Sequence, residues 1–346
     1  MRLKIFIYFI KTFVPHNKGF IFLKNNMIKW LNVLSLFDWM SCWMLALEKC
    51  WIKVNRYFAS EIDKYAIKVS QDNYKEIVHI WDIKNISFNK CLSYNNWIKI
   101  TRCEITNIDL LIWWSPCQWF SRAWKWLNFE DNRSRLFFEY VRLLKEIKPK
   151  YFLLENVNMK KEWEDIITEI LWVEPIKINS SLFIPHDRPR TYWTNIIIDK
   201  NIKQKKYILN DFLKAENSET KYINDNLFNN LVLSKKENSL KIRNATKKWF
   251  LEWVEWNCVD VSFPTSNSRR WRVKVNKIWC LSTSLNQTII TKDLRIRYLS
   301  PNECELLQWI PEWYSDIVSN NQRYRMLWNG WTVDVIAYIC YYIKVF

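Results

Sequence analysis

From Leu31 to Ile198, short apolar runs alternate with longer stretches of helical period, the rhythm of strands and helices taken in turn. Strands are predicted over 32–37, 57–60, 77–80, 109–112, 151–154 and 192–198, and helices over 43–50, 65–74, 133–147 and 161–171. The clearest helix is Arg135-Leu136-Phe137-Phe138-Glu139-Tyr140-Val141-Arg142-Leu143-Leu144, apolar at helical spacing and ended by Pro149. This is the pattern of a βα sheet, where ligands and chemistry collect at the carboxyl ends of the strands. Residues 199–296 lose the rhythm and become rich in Asn, Lys and Ser, with the basic cluster Arg269-Arg270-Trp271-Arg272. Helical patterning returns over 301–309 and 332–344, and no internal repeat appears.

Charge adds a partner to this picture. Lys and Arg number 52 against 35 Asp and Glu, a net charge of +17. Such an excess attracts polyanions and suits nucleic acid, although a Lys-rich proteome accounts for part of it. The nine Cys are scattered without a C-x-x-C pair, which fits free thiols in a reducing compartment better than a disulfide scaffold. With only His16, His79 and His186 present, no metal site is expected. The first 14 residues are interrupted by Lys11 and lack a small-x-small cleavage site, so they are not read as a signal peptide. No apolar run reaches the ~18 residues of a membrane span. A cytoplasmic protein with no membrane partner is expected, starting at Met27 just ahead of the first strand.

Two strand ends carry candidate chemistry. Ser115-Pro116-Cys117-Gln118 follows the apolar run Ile108-Asp109-Leu110-Leu111-Ile112, and Leu153-Leu154-Glu155-Asn156-Val157 ends another strand. A thiol and a carboxyl delivered to one sheet edge suit covalent catalysis with acid assistance. Taken singly, each is as well read as a buried cysteine or a loop glutamate. Their company changes the odds. Leu34-Ser35-Leu36-Phe37-Asp38, Ala59-Ser60-Glu61 and Asp82-Ile83 come before; His186-Asp187-Arg188-Pro189-Arg190, Arg297-Tyr298-Leu299-Ser300-Pro301-Asn302-Glu303-Cys304 and Asn329-Gly330-Trp331-Thr332-Val333 come after.

In motif content and order this series resembles the cytosine-5 DNA methyltransferase family, and most closely its phage and animal de novo branch. The resemblance covers nearly everything from Leu31 to Ile343 except the segment from Asp199 to Leu294. It implies a class I S-adenosylmethionine-dependent methyltransferase fold, α/β with a doubly wound, mostly parallel sheet, plus a smaller irregular target-recognition region. The expected domains are an extension over 1–26, a catalytic and cofactor-binding domain over 27–198, target recognition over 199–296, and a return to the catalytic domain over 297–346.

The resemblance also assigns roles. S-adenosylmethionine would be held by Phe37, Asp38 and the loop positions Trp39 and Trp43, with Glu61 at the ribose, Asp82 at the adenine amino group and Ile62 and Ile83 as apolar walls. Pro116, Leu136, Asn329, Trp331 and Thr332 would complete the pocket. Cys117 would attack C6 of cytosine, Glu155 would act at N3, Arg190 would contact O2, and Arg188 is grouped with them as catalytic. His186 stands where the family usually has Gln. Gln118, Ser121, Arg122, Lys125 and Arg133, on or beside a loop that could fold over an extruded base, are expected at DNA with Arg269, Arg270 and Arg272. The partner is double-stranded DNA, the protein a monomer, and the setting restriction-modification or phage or epigenetic marking.

One feature of composition conflicts with this assignment. The chain has 2 Gly and 23 Trp, where about 7% Gly usage would give roughly 24. The tryptophans cluster where the family needs glycine, in Phe37-Asp38-Trp39-Met40-Ser41-Cys42-Trp43, Trp113-Trp114-Ser115, Trp119, Trp124, Trp126, Trp309 and Trp328. Left-handed backbone costs a non-Gly residue about 1–2 kcal/mol, and overpacking about 1–3 kcal/mol. Over so many sites the total would exceed a net stability of about 5–15 kcal/mol. The expectation is a UGA codon decoded as Gly in the source organism and written as Trp in this sequence. Trp163, Trp193 and Trp331 fit their surroundings as genuine tryptophans. The competing reading is a Trp-rich protein with stacking platforms.

Two rival functions stay open. A cytosine-5 methyltransferase of tRNA shares the same motifs, although the long insert favours DNA readout. A catalytically dead DNA-binding module of the same fold becomes the better reading if tryptophan is literal at 39 and 43.

Overall fold

The computed structural model describes residues 30–80, 82–86, 91–95, 98–103, 105, 107–114, 132–217, 220–244, 250–262, 272–282 and 286–343. Its frame is a seven-stranded sheet built from β1 (Trp30–Leu36), β2 (Lys53–Ser60), β3 (Val78–His79), β4 (Leu110–Trp114), β5 (Tyr151–Val157), β6 (Ile176–Asn179) and β7 (Pro189–Thr194). The strand order is β3-β2-β1-β4-β5-β7-β6. Strands β1 to β5 run parallel, and β7 lies antiparallel between β5 and β6.

Side chains alternate cleanly between two cores, because successive residues of a strand face opposite sides. Leu31, Val33, Leu110, Ile112 and Leu153 enter one core; Leu34, Leu36, Leu111, Phe152 and Leu154 enter the other. On the first face lie α1 (Cys42–Lys49), α2 (Lys64–Asn73) and the C-terminal helix α7 (Val333–Cys340). On the second lie α3 (Asn132–Ile147) and α4 (Lys161–Leu171), through Phe137, Tyr140, Leu143, Ile167 and Leu171. A sheet covered on both faces explains why its strands read as near-continuous apolar runs.

Three expectations shift. The strand predicted over 192–198 is Pro189–Thr194: Ile196-Ile197-Ile198 looked like strand, but position 197 points to solvent and register is set by the pairing of Arg190 to Thr194 with β5. Helix α6 (Asn320–Asn329) was not predicted. Its buried face includes Arg323, whose guanidinium meets Glu305 and Asn302, so apolar periodicity is weak there. The helix predicted from 301 is α5 (Pro301–Leu306), started by a capping box between Ser300 and Glu303 with Pro301 in the first turn.

The region over 199–296 is not irregular. It folds into a three-stranded antiparallel sheet (Val232–Lys235, Leu240–Arg243, Phe250–Trp253) and a four-stranded one containing Cys258–Asp260, Arg272–Lys274, Gln287–Ile290 and Ile296–Tyr298. A separate core including Leu231, Leu240, Ile242, Val259, Ile290 and Ile296 holds them together. Ile296–Tyr298, which spans the boundary expected at 297, pairs antiparallel with Gln287–Ile290 in the four-stranded sheet. Short strands interrupted by polar loops leave no long period, which is why the sequence looked formless.

Among the described residues, six tryptophans hold left-handed backbone: Trp39, Trp51, Trp172, Trp256, Trp309 and Trp313, with φ between 54° and 68°. Trp163, Trp193 and Trp331 are not among the residues of positive φ.

Candidate active site

Glu155 is the best-defined reactive group. It lies near the end of β5, level with Trp114 on β4 and Tyr192 on β7, and is buried in the sheet. Arg190 Nε sits 3.0 Å from Glu155 Oε1 as a buried ion pair. Burial pushes the Glu155 carboxyl upward, opposed by Arg190 and Arg188, so its protonated form persists to higher pH than an ordinary glutamate's. A carboxyl that can carry a proton beside a fixed cation suits a base in which charge builds up. Arg190 also donates from Nη1 to Pro189 O (2.9 Å) and lies against the Cys280 thiol at 3.9 Å. Cys280, from the second domain, is a neighbour that no motif in the sequence announced.

Arg188 has a different job from the catalytic one expected. Its Nη1 donates to Trp328 O (2.7 Å) and its Nη2 to Gly330 O (2.8 Å), tying the strand that carries Arg190 to the C-terminal segment. Its guanidinium is thus anchored on two backbone carbonyls of the C-terminal segment. Gly330 must be small there, since a Cβ would lie 3.0 Å from Met326 O and 3.3 Å from the Met40 side chain. Buried His186 is held far below its usual range by burial, with Arg188 and Arg190 adding to the effect, and is neutral. Its Nε2 accepts from Leu281 N (3.3 Å), and His186-Asp187 pairs in parallel with Ile278-Trp279, stitching the two domains together at the site.

The residues expected at the cofactor gather at the same sheet edge, after β1, β2 and β3. Phe37 N donates to Ser60 O (2.8 Å), clamping the loop after β1 to the end of β2. Glu61 Oε2 accepts from Trp39 N (2.9 Å), and Oε1 accepts from Ile62 N (2.8 Å) and Asp63 N (2.9 Å). Burial raises the Glu61 pKa to about 7. Ile62 beside it is 58% exposed, an apolar side chain without cover. Asp82 is half-buried and caps the turn Ile83–Asn85 through Lys84 N, with Ile83 buried next to it.

Other predicted pocket residues are found in packing. Asp38, expected at the cofactor, is fully buried with Oδ1 taken by Tyr57 Oη and Oδ2 by Ser41 Oγ. Trp43 and Trp331 are fully buried edge to face at 5.4 Å, and Trp39 meets Trp114 at 5.6 Å. Leu136 packs against the second core. Asn329 donates to Arg325 O (3.0 Å), and Thr332 lies buried immediately before α7 with no partner for Oγ1 among the described residues.

Of the residues expected at DNA, Arg272 is described. It is paired with Asp260 and lies 4.5 Å above the Trp279 ring. Pro116, Cys117, Gln118, Ser121, Arg122, Lys125, Arg269 and Arg270 lie outside the described residues, as does the side chain of Arg133. Asn156, flanking Glu155, is buried, and its Nδ2 has no partner among the described residues. No group of three or more His, Cys, Asp or Glu among the described residues is placed to hold a metal. No described helix is long and apolar enough to cross a membrane.

The site thus combines a mostly parallel α/β sheet with an antiparallel strand, a buried acid–arginine pair at one strand end and a carboxylate at another. Residues 31–345 match the C-5 cytosine-specific DNA methylase family, and the chain belongs to it. It is 28% identical over 307 residues to the type II methyltransferase M1.ScrFI of Lactococcus lactis subsp. cremoris, covering 82% of this chain and 70% of that one. It is 26% identical to M.HhaI of Haemophilus parahaemolyticus, covering 93% and 96%. Among solved structures, a putative DNA modification methyltransferase from an E. coli prophage superposes with a TM-score of 0.59 at 19% identity, covering 90% of this chain and 98% of that one. The S. pombe Dnmt2 methyltransferase does so at 0.55 and 18%, covering 90% and 97%. These likenesses agree with the class I methyltransferase fold.

Proposed function

We propose that the protein methylates C5 of cytosine in duplex DNA, using S-adenosylmethionine and a transient covalent bond to Cys117. The Glu155–Arg190 pair at the carboxyl end of β5 carries this reading. It stands level with the end of β4, the strand that leads directly to Ser115-Pro116-Cys117. The printed names of M1.ScrFI and M.HhaI as type II methyltransferases point the same way.

C5 of cytosine is a poor nucleophile, so chemistry must begin at C6. Attack there by the Cys117 thiolate forms a C6–S bond and moves the ring electrons toward N3. Glu155, whose carboxyl burial shifts toward the protonated form against the pull of Arg190, shares a proton with N3, while Arg190 supplies positive charge at the ring edge. C5 then has enamine character and can take an electrophilic methyl group, which S-adenosylmethionine supplies when bound. Loss of the C5 proton to a base reforms the C5–C6 double bond and expels the Cys117 thiolate, while the N3 proton returns to Glu155. The target base must leave the helix for this geometry.

The residues at the first three strand ends fit the cofactor. Glu61 Oε2 accepts one hydrogen bond from Trp39 N and keeps a lone pair for a ribose hydroxyl. Uncovered Ile62 suits an aromatic ring face, and Asp82 sits one strand further on.

Bisulfite sequencing of plasmid recovered from an expressing host tests the reaction, with a gene encoding glycine at the positions read as glycine. The expected result is C5 methylation at one recurring sequence, lost in Cys117→Ser. A duplex with 5-fluorocytosine should trap an adduct on Cys117, because fluorine cannot leave as a proton does. Methylation confined to tRNA, or an adduct on another cysteine, would overturn the reading.

A further inference from the structure

Behind the loop after β1 runs a buried chain of hydroxyls that the reaction itself does not use. Tyr57 Oη on β2 donates to Asp38 Oδ1 (2.5 Å), and Ser41 Oγ donates to Asp38 Oδ2 (2.5 Å). Ser41 Oγ lies 2.5 Å from Ser70 Oγ on α2, which lies 3.3 Å from His79 Nε2 on β3. All five side chains are buried. The directions are forced once Asp38 is the acceptor. Ser41 has given its only proton to Asp38, so Ser70 must donate to Ser41, and His79 Nε2–H must donate to Ser70. That leaves Nδ1 as the bare nitrogen, and it has no partner among the described residues. Ser41 also sits at the N-cap of α1 yet makes no capping bond there, its hydroxyl being turned into the chain instead.

We propose that Tyr57, Ser41 and Ser70 are positioning residues that set the cofactor loop through Asp38. The loop needs such a clamp, because Phe37, Trp39 and Ser41 all hold positive φ and Trp39 N must be aimed at Glu61. This inference rests on the proposed cofactor role of the loop. Its test is Tyr57→Phe and Ser70→Ala in the full chain, with Ser70→Thr as the conservative replacement. Each of the first two should weaken S-adenosylmethionine binding in calorimetry by about tenfold, the scale of one buried hydrogen bond. KM for the cofactor should rise in step, while KM for DNA and kcat at saturation stay within about twofold, and Ser70→Thr should restore affinity. Unchanged cofactor affinity in both variants, or equal losses in kcat and in DNA binding, would overturn the proposal. Absence of cofactor binding by the unaltered protein would instead refute the functional reading on which it rests.

A second observation stands apart from that network. Trp172 ends α4 in left-handed conformation, its N–H bonded to Thr168 O (2.8 Å), and is 90% exposed. Trp51 and Trp313 follow helices or turns in the same conformation at 60% and 59% exposure. Left-handed backbone at a helix end, with no use for a side chain, is the position glycine fills. We infer that the protein made in its own cell carries glycine at 39, 51, 172, 256, 309 and 313, through a UGA codon decoded as glycine. The tryptic peptide over 162–177 contains both Trp163 and Trp172. Sequenced by mass spectrometry from the source organism, it should show tryptophan at 163 and glycine at 172, with UGG and UGA codons respectively. Tryptophan at both positions would overturn the inference.

Discussion

At the scale of single residues, two arginines two positions apart have opposite duties. Arg188 is held by the carbonyls of Trp328 and Gly330, while Arg190 faces Glu155. Arg188→Ala should therefore unfold more easily, by roughly 3 kcal/mol for two charge-assisted hydrogen bonds, as thermal melts would register. Arg190→Ala should keep much of its fold and lose kcat by about a hundredfold; a loss in melting temperature alone would contradict that division. Glu61 gives a prediction in pH. Its pKa is raised by burial from 4.5 to about 7, so the fold favours the protonated form. The stability this contributes is complete below about 4.5 and is lost as pH rises through about 7. For the proposed ribose contact the ionised carboxylate is the stronger acceptor, so cofactor affinity should strengthen over the same rise. Calorimetry across that range should show the gain, and Glu61→Gln should flatten it.

At the scale of elements, the basic cluster of the second domain divides in the same way. Arg272 begins a strand, pairs with buried Asp260 and covers Trp279, so it holds the four-stranded sheet together. Arg272→Ala should lower the melting temperature more than it changes the salt dependence of DNA binding. Arg269→Ala with Arg270→Ala should do the reverse. Two lost phosphate contacts would reduce the slope of log affinity against log salt by about two. If the methylated sequence changes as well, one of them reads a base edge. Elements whose faces were apolar and periodic, such as α3 and α4, were legible in the sequence. Helix α6 and the strands of the second domain were not, because Arg323 is satisfied by partners remote in sequence and short strands carry too few turns of any period.

At the scale of the molecule, the proposed binding of cofactor and of DNA should be separable. A ligand that binds only the native state raises the melting temperature, by an amount equivalent to about 2.7 kcal/mol at a hundred times Kd. The glycine-bearing protein should show one transition that S-adenosylmethionine shifts upward. The chain with literal tryptophan at every presumed glycine should neither bind the cofactor nor melt cooperatively, since Trp39 fills the loop beside Glu61 and Trp43 adds a buried indole to α1. Equal stabilisation of both chains would show the tryptophans to be native.

The sequence by itself determined the family, the alternating βα frame and the residues that reach the strand ends, because apolar runs and motif order are local. The placement of Glu155 and Glu61 at strand ends could be read from it for that reason. It also carried the glycine anomaly, as a matter of counting. Only the tertiary structure decided which way side chains face and what they meet. Asp38 turns inward to Tyr57 and Ser41, Arg188 reaches the backbone of Trp328 and Gly330, and Cys280 arrives beside Arg190 from another domain. These contacts join segments separated by tens of residues or more, and no local period encodes such a meeting.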